Sequence, residues 1–299
     1  MPPLLDAVGV WNAPLQLVVM PDGRSAQRCK WVRLFSVVQP KDIVVQFTAQ
    51  VDRFVTSPHV NEPEPVARFL AAVEPHGDER ALDVGCGPGL LAKAFAPRVR
   101  EFVGVDLTPA MVERASAIAR ETGLANAHFQ VADALKLPFE TGTFDLALTR
   151  LALHHMPDVR GVVRVMARIT RAGGKIGLFD LTTSEPAEES AYLNLVERLR
   201  DPSHARALPI SEAVQVVGLA GFDLDRVDTT DLELDVDDWI ARAEQSPDEA
   251  RQTRELLADT IGTRRFGGRP VRRDEAGKLK FIVRYMIVVG TRRERLPVP

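Results

Sequence analysis

Residues 82–89 read Leu82-Asp83-Val84-Gly85-Cys86-Gly87-Pro88-Gly89, and three glycines at alternate positions leave the chain few ways to fold there. Residues 80–84 form a short apolar run of strand type, and residues 90–95 open a helical pattern. The glycines therefore mark a strand-to-helix turn. Glycine reaches positive φ without strain and lets a ligand approach where a Cβ would stand. A dinucleotide fingerprint spaces its glycines G-x-G-x-x-G. Here the third glycine comes one residue early, and Pro88 removes an N–H that a phosphate could use. Both facts weigh against a pyrophosphate ligand. A tight turn with no ligand at all is the bland alternative, and the neighbouring strands bear on it.

The strand–helix alternation repeats. Residues 102–105 read as a strand ending at Asp106, and 109–121 as a helix with Pro109 in its first turn and Gly123 as its stop. Residues 128–131 form a strand ending at Asp133, and 144–149 a strand ending at Arg150. A helix over 159–170, stopped by Gly173 and Gly174, precedes a strand over 175–181. Such alternation predicts an α/β fold, a doubly wound, mostly parallel sheet with helices on both faces. Ligands of these sheets bind outside the carboxyl ends of the strands. Asp106 stands where a carboxylate accepts from both ribose hydroxyls, and Asp133 where one accepts from an adenine amine. Each acid alone has a rival reading as a cap or turn residue. Glycine loop and acids together describe a nucleoside pocket without a phosphate clamp.

Around this core the pattern changes. Residues 1–38 carry prolines and glycines without a period and read as an irregular extension. Helical spacing at 41–55 and 64–73 makes 39–78 an N-terminal helical lid. The α/β core runs over 79–228, with helices at 192–199 and 211–219 and a strand at 222–227. Residues 229–277 read as a charged, helical insertion or cap carrying Trp239, and 278–299 as the last core strand and tail. The formal charge of −3 argues against a general nucleic-acid or anionic-membrane binder. Cys29 and Cys86 supply no disulfide framework, the histidines are too scattered for a metal site, and a metal is not expected. Without an apolar run of about 18 residues no membrane span is expected. The N-terminus lacks the basic flank of a signal peptide, so the chain reads as cytoplasmic.

Residues 82–89, Asp106, Ala132-Asp133-Ala134-x-x-Leu137-Pro138-Phe139, Phe144-Asp145 and Arg171-Ala172-Gly173-Gly174 resemble the successive motifs of class I S-adenosylmethionine-dependent methyltransferases. The match covers about residues 41–182. It implies a seven-stranded sheet with an antiparallel last strand, S-adenosylmethionine as cofactor, and methyl transfer to a small molecule at carbon, oxygen or nitrogen. It also implies roles. Gly85, Gly87 and Gly89 would border the methionine tail and ribose, Asp83 would orient the tail's ammonium, and Arg150 would stand beside that tail. Asp106, with Leu107 beside it, would hold the ribose; Asp133 and Ala134 would take the adenine edge, above a wall at Pro138-Phe139. Gln46-Phe47-x-x-Gln50-x-x-x-Phe54, Leu151-Ala152-Leu153-His154-His155 and Leu199-Arg200-Asp201-Pro202-Ser203-His204 resemble the ubiquinone/menaquinone C-methyltransferase-like subgroup.

His154 or His155, just past the fourth strand, is the candidate general base, against a reading in which the pair only packs its loop. His204 reads as structural. The N-terminal helices and the 229–277 insertion would cover the pocket as a lid. The basic run Arg264, Arg265, Arg269, Arg272 and Arg273 reads as a solvated loop. A homodimer is compatible with the sequence. The competing functions are a nicotinamide-dependent oxidoreductase, which requires a phosphate-compatible loop, and a non-catalytic S-adenosylmethionine-binding module, which would carry a broken pocket acid.

Overall fold

The computed structural model describes residues 38–56, 63–243 and 245–294, so the expected extension at 1–38 lies outside it except for Val38. Helices α1 (Pro40–Thr56) and α2 (Pro63–Val73) precede β1 (Arg80–Val84), α3 (Ala92–Phe95), β2 (Glu101–Asp106), α4 (Pro109–Glu121) and β3 (Ala127–Val131). Then follow β4 (Phe144–Arg150), α5 (Val159–Ile169), β5 (Thr170–Thr183), α6 (Ala187–Arg200), β6 (Leu208–Pro209) and α7 (Ile210–Leu219). The chain continues through β7 (Phe222–Asp235), α8 (Val236–Ala241), α9 (Pro247–Ala258), β8 (Val271–Arg273) and β9 (Leu279–Arg292).

Seven strands make the sheet in the order β3-β2-β1-β4-β5-β9-β7, and the short β6 and β8 add to β5 and β9. Strands β1 to β5 pair in parallel, while β9 runs antiparallel to both β5 and β7. The expected doubly wound sheet with its antiparallel last strand is what the chain forms. The order reverses between β1 and β4, the place where open α/β sheets bind ligands.

Each face has its own core. One gathers Val84, Phe144, Met166, Ile176 and Met286 under α5 and α7. The other gathers Phe69, Phe95, Phe102 and Phe179 under α2 and α3. Every one of these phenylalanines is at most 1% exposed. Burial of such a side chain contributes about 1.5–3 kcal/mol relative to exposure.

Three expectations need correction. First, α2 is not lid: Phe69 and Val73 are fully buried on the sheet, and only α1 reaches the cleft described below. The apolar stripe looked alike in both helices, and only packing separates a lid from a core layer. Second, residues 229–235 belong to β7, whose register against β9 continues to Asp235 opposite Lys280, so the insertion begins at α8. Asp235 caps that helix by accepting from the backbone N–H of Asp237 and Asp238. The charged run concealed a strand because its outer residues face water at the sheet's edge. Third, α5 already ends at Ile169, and Gly173-Gly174 lie inside the start of β5 rather than stopping the helix. A Cβ on Gly174 would sit 2.7 Å from the Asp145 carbonyl oxygen.

Residues of α8, α9 and the following loop pack on α6 and the outer end of β9. They enclose a third cluster with Tyr192, Val196, Trp239, Leu257, Phe266 and Phe281. Trp239 packs edge-on to Phe281 at 5.0 Å between centroids. This cap therefore has a core of its own. Among the described residues no helix is long and apolar enough to cross a membrane.

Candidate active site

A cleft opens at the carboxyl ends of β1, β2, β3 and β4. Its lining includes Asp83, Gly85, Gly87, Asp106, Leu107, Asp133, Ala134, Arg150 and His155, with Pro40, Ile43 and Phe47 of α1 on its outer side. All of these are sequence candidates except the α1 residues. Gly89 lies one step behind, where a Cβ would come 3.0 Å from the Cβ of Ala115.

The glycine turn uses up its own donors. Gly85 and Cys86 N–H both donate to the Val105 carbonyl, at 2.8 and 3.0 Å. Gly89 N–H donates to the Cys86 carbonyl at 3.0 Å, and Gly87 N–H donates to Asp106 Oδ2 at 2.9 Å. Pro88 has no N–H. Gly85, Cys86, Gly87 and Gly89 thus leave no amide for a pyrophosphate, which weighs against the dinucleotide alternative. Gly85 (φ 74°) could not be another residue, since a Cβ would lie 2.6 Å from that of Ala152. Gly87 (φ 52°) has nothing within 4 Å of the Cβ position, so its bare backbone faces open space.

Asp106 is tied from both sides, with Thr108 N–H donating to Oδ1 at 2.8 Å. Each oxygen keeps a lone pair for a ligand hydroxyl. Burial raises its pKa, and those backbone N–H groups pull it back. Asp83 differs. It is 1% exposed, and its Oδ1 has no hydrogen-bond partner. Burial pushes its carboxyl up to about 8, against the opposing charge of Arg150. A buried acid without a partner is costly, and a cation arriving in the cleft would relieve that cost. Asp133 is half-buried at the far end and accepts from Leu135 N–H at 2.9 Å. Phe139 is a correction. It packs edge-on to Phe144 at 4.9 Å, and its carbonyl accepts from Arg168, so Pro138-Phe139 brace β4 and do not line the cleft.

Past β4 the chain turns sharply. Leu151 adopts φ 51°, a left-handed conformation that costs a non-glycine residue about 1–3 kcal/mol. Asp180, fully buried on β5, holds the turn: Oδ2 accepts from Ala152 and Leu153 N–H at 3.2 and 2.7 Å, and Oδ1 from Leu181 N–H at 2.6 Å. Oδ1 also takes a short hydrogen bond from His154 Nδ1. Burial lowers the His154 pKa, but the Asp180 carboxylate outweighs it and the net shift is upward.

The structure thus separates the two histidines. His154 turns inward to Asp180. His155 reaches the cleft, edge-on to Phe47 at 4.8 Å. Its Nδ1 lies 3.1 Å from the Ser203 carbonyl and 3.1 Å from Ser203 Oγ, whose own proton goes to Asp201 Oδ1 at 2.6 Å. A carbonyl only accepts, so Nδ1 carries the ring proton and Nε2 is left with a bare lone pair. Burial, aided by the charge of His154, pushes the His155 pKa down to about 4, which keeps the ring neutral. His204 is buried, donates to Asn194 Oδ1 at 2.8 Å, and supports its own loop.

Sequence reading passed over Asp180, and it named Asp201 and Ser203 only as part of a subgroup motif, with no role. A lone carboxylate inside the apolar run 175–181 was the available signal for Asp180. Nothing in the spacing announced that Ser203 would meet His155 across 48 residues.

A methyltransferase-domain family model matches residues 82–178. An uncharacterized methyltransferase of Bacillus subtilis, YcgJ, is 36% identical over 191 residues, covering 64% of this chain and 76% of the relative. The crystal structure of YcgJ superposes with a TM-score of 0.70 at 31% identity, over 77% of this chain and all but 1% of the other, since 99% of it is covered. A putative methyltransferase of Bacillus halodurans gives 0.72 at 25% identity over 77% and 99% of the two chains. The 27-O-demethylrifamycin SV methyltransferase of Amycolatopsis mediterranei is 38% identical over 126 residues, 41% of this chain and 45% of that one.

Proposed function

The chain belongs to the S-adenosylmethionine-dependent methyltransferases, and from that premise we propose that it methylates a small organic acceptor with His155 as the general base. S-adenosylmethionine supplies the methyl group already activated on a sulfonium. The protein's own task is binding, alignment and proton removal. Positioning of this kind is worth about 7–11 kcal/mol when the reacting atoms are held near attack.

Asp106 would take both ribose hydroxyls with the lone pairs its backbone donors leave free. Leu107 lies against the nucleoside, and Asp133 and Ala134 take the adenine edge. Gly85, Gly87 and Gly89 let the tail and ribose pass over bare backbone. Asp83, beside Arg150, meets the methionine ammonium and gives up its proton there. The observation that carries this assignment is the pair of cleft acids: Asp106 with lone pairs to spare, and Asp83 with an orphaned buried oxygen.

His155 would receive the acceptor's proton on Nε2 as the acceptor bonds the methyl carbon, while the sulfur–methyl bond would break with its electron pair left on sulfur, giving S-adenosylhomocysteine. Its Nδ1–H stays on the Ser203 carbonyl, so only Nε2 can receive a proton. Phe47 and α1 cover the ring and exclude water. A small-molecule acceptor agrees with the rifamycin relative and with the tocopherol O-methyltransferase of Arabidopsis thaliana, which is 34% identical over 128 residues, 40% of this chain and 37% of that one. The net charge of −3 disfavours nucleic acid. An acceptor screen read by S-adenosylhomocysteine release tests the reading. Turnover of small acceptors is expected, and a pocket that binds S-adenosylhomocysteine yet turns over nothing in a broad screen would favour the non-catalytic module.

A further inference from the structure

We propose that Arg242, Tyr285 and Thr183 form a subsite for a carboxylate on the acceptor, an inference that rests on the methyl-transfer reading above. The three residues share one face of the sheet at the rim where β5 ends. In the antiparallel register Leu181 lies opposite Tyr285, so Thr183, two residues on, points to the same side. Phe281, Val283 and Tyr285 line that side of β9, and α8 lies over it through the Trp239–Phe281 contact. Arg242 follows directly at the carboxyl end of α8, close enough to Tyr285 for their charges to interact.

All three groups are donors in want of an acceptor. Arg242 Nη2 and Thr183 Oγ1 are buried without a hydrogen-bond partner. Tyr285 is half-buried, and no described residue hydrogen-bonds its hydroxyl. Buried donors are seldom left unmatched, and two on one face beside a half-buried hydroxyl call for a ligand rich in acceptor oxygens. The charges agree. Arg150 and Arg200 are the other cations facing Tyr285. Arg200 is ion-paired with Glu197 at 3.2 Å and lies over Trp239 at 4.4 Å. Asp238 and Asp235 are the carboxylates facing Arg242, and Asp235 is held by Lys280 at 3.1 Å. Among the described residues Arg242 has no ion pair, which suits an anionic ligand.

The face leads back to the cleft. Tyr285 stacks on Phe179 at 5.4 Å, and the Arg150 guanidinium lies over that same Phe179 ring at 5.7 Å while also lining the cleft. The acceptor would place its nucleophilic atom at His155 and its carboxylate on this face.

The test uses the full chain saturated with S-adenosylhomocysteine and ligand-observed NMR. The probes are benzoate, 4-hydroxybenzoate, phenylacetate and hexanoate, each paired with its neutral amide. At least one acid is expected to bind about tenfold or more tightly than its amide, as a charge-assisted hydrogen-bonded pair requires. Arg242→Gln is expected to erase that preference, Arg242→Lys to keep part of it, and Tyr285→Phe to weaken it several-fold. All three should melt near the wild type and keep their affinity for S-adenosylhomocysteine. Amides that bind as well as acids, no acid binding to the wild type, or a preference that survives in a folded Arg242→Gln would each overturn the proposal. Loss of S-adenosylhomocysteine binding by the wild type itself would instead strike the methyl-transfer reading.

Discussion

The two halves of the sheet's rim are built differently. The half formed by β1, β2 and β3 is assembled from neighbours in sequence. Asp106 takes Thr108 N–H two residues on and Gly87 N–H nineteen residues back, and each strand delivers one group at its end. The half formed by β4, β5 and β9 is assembled from distant pieces: Asp180 meets His154 across 26 residues, and Ser203 meets His155 across 48. Local construction suits a ligand that stays the same, because strand, turn and helix fix the geometry together. Long-range construction lets the acceptor side change with α6 and the cap while the cofactor side is left alone.

Substitutions can break this contrast, and the largest effect should be on the acceptor side. His155→Gln is expected to slow turnover by about 10²–10⁴-fold, the usual worth of a positioned base, while S-adenosylhomocysteine still binds. Steady-state kinetics with any acceptor from the screen decides it, and full turnover would remove the histidine from the chemistry. Asp180→Ala should cost about 3–5 kcal/mol of stability, because it strands three backbone N–H groups and a histidine in a buried site. Chemical denaturation measures that loss, and a change below about 1 kcal/mol would mean the turn holds itself.

On the cofactor side, Asp106→Ala should weaken S-adenosylhomocysteine about a hundredfold by calorimetry, as loss of charged hydrogen bonds to two hydroxyls implies. Its melting temperature should fall by only a few degrees. An unchanged dissociation constant would refute the ribose assignment. The smallest effect concerns protons. With its pKa near 8, Asp83 is neutral at pH 7 in the free protein and must ionise beside a cation, so binding releases a proton and tightens as pH rises toward 8. Calorimetry in buffers of different ionisation enthalpy should show that release in the wild type and none in Asp83→Asn.

Much of the first half was legible in the sequence. The glycine spacing, Pro88, and acids at strand ends Asp106 and Asp133 follow from rules that act within a few residues, and the sheet brings those ends together. The second half was only partly legible. His154 and His155 stood out as a pair, yet nothing local says which ring turns inward. Asp180 decides that, and it was hidden in an apolar strand. The 229–235 run read as charged insertion because an edge strand shows water its polar side, and α2 read as lid because a lid helix and a core helix carry the same apolar stripe.

By itself, then, the sequence determined the alternation, the parallel sheet and the rim at which the cleft opens, since backbone turns, hydrophobic period and strand order are set by neighbouring residues. Only the tertiary structure decided which histidine faces the cleft with a bare nitrogen and which helix covers it. Those outcomes depend on burial and on hydrogen bonds between segments far apart in the chain, and no spacing within one segment encodes them.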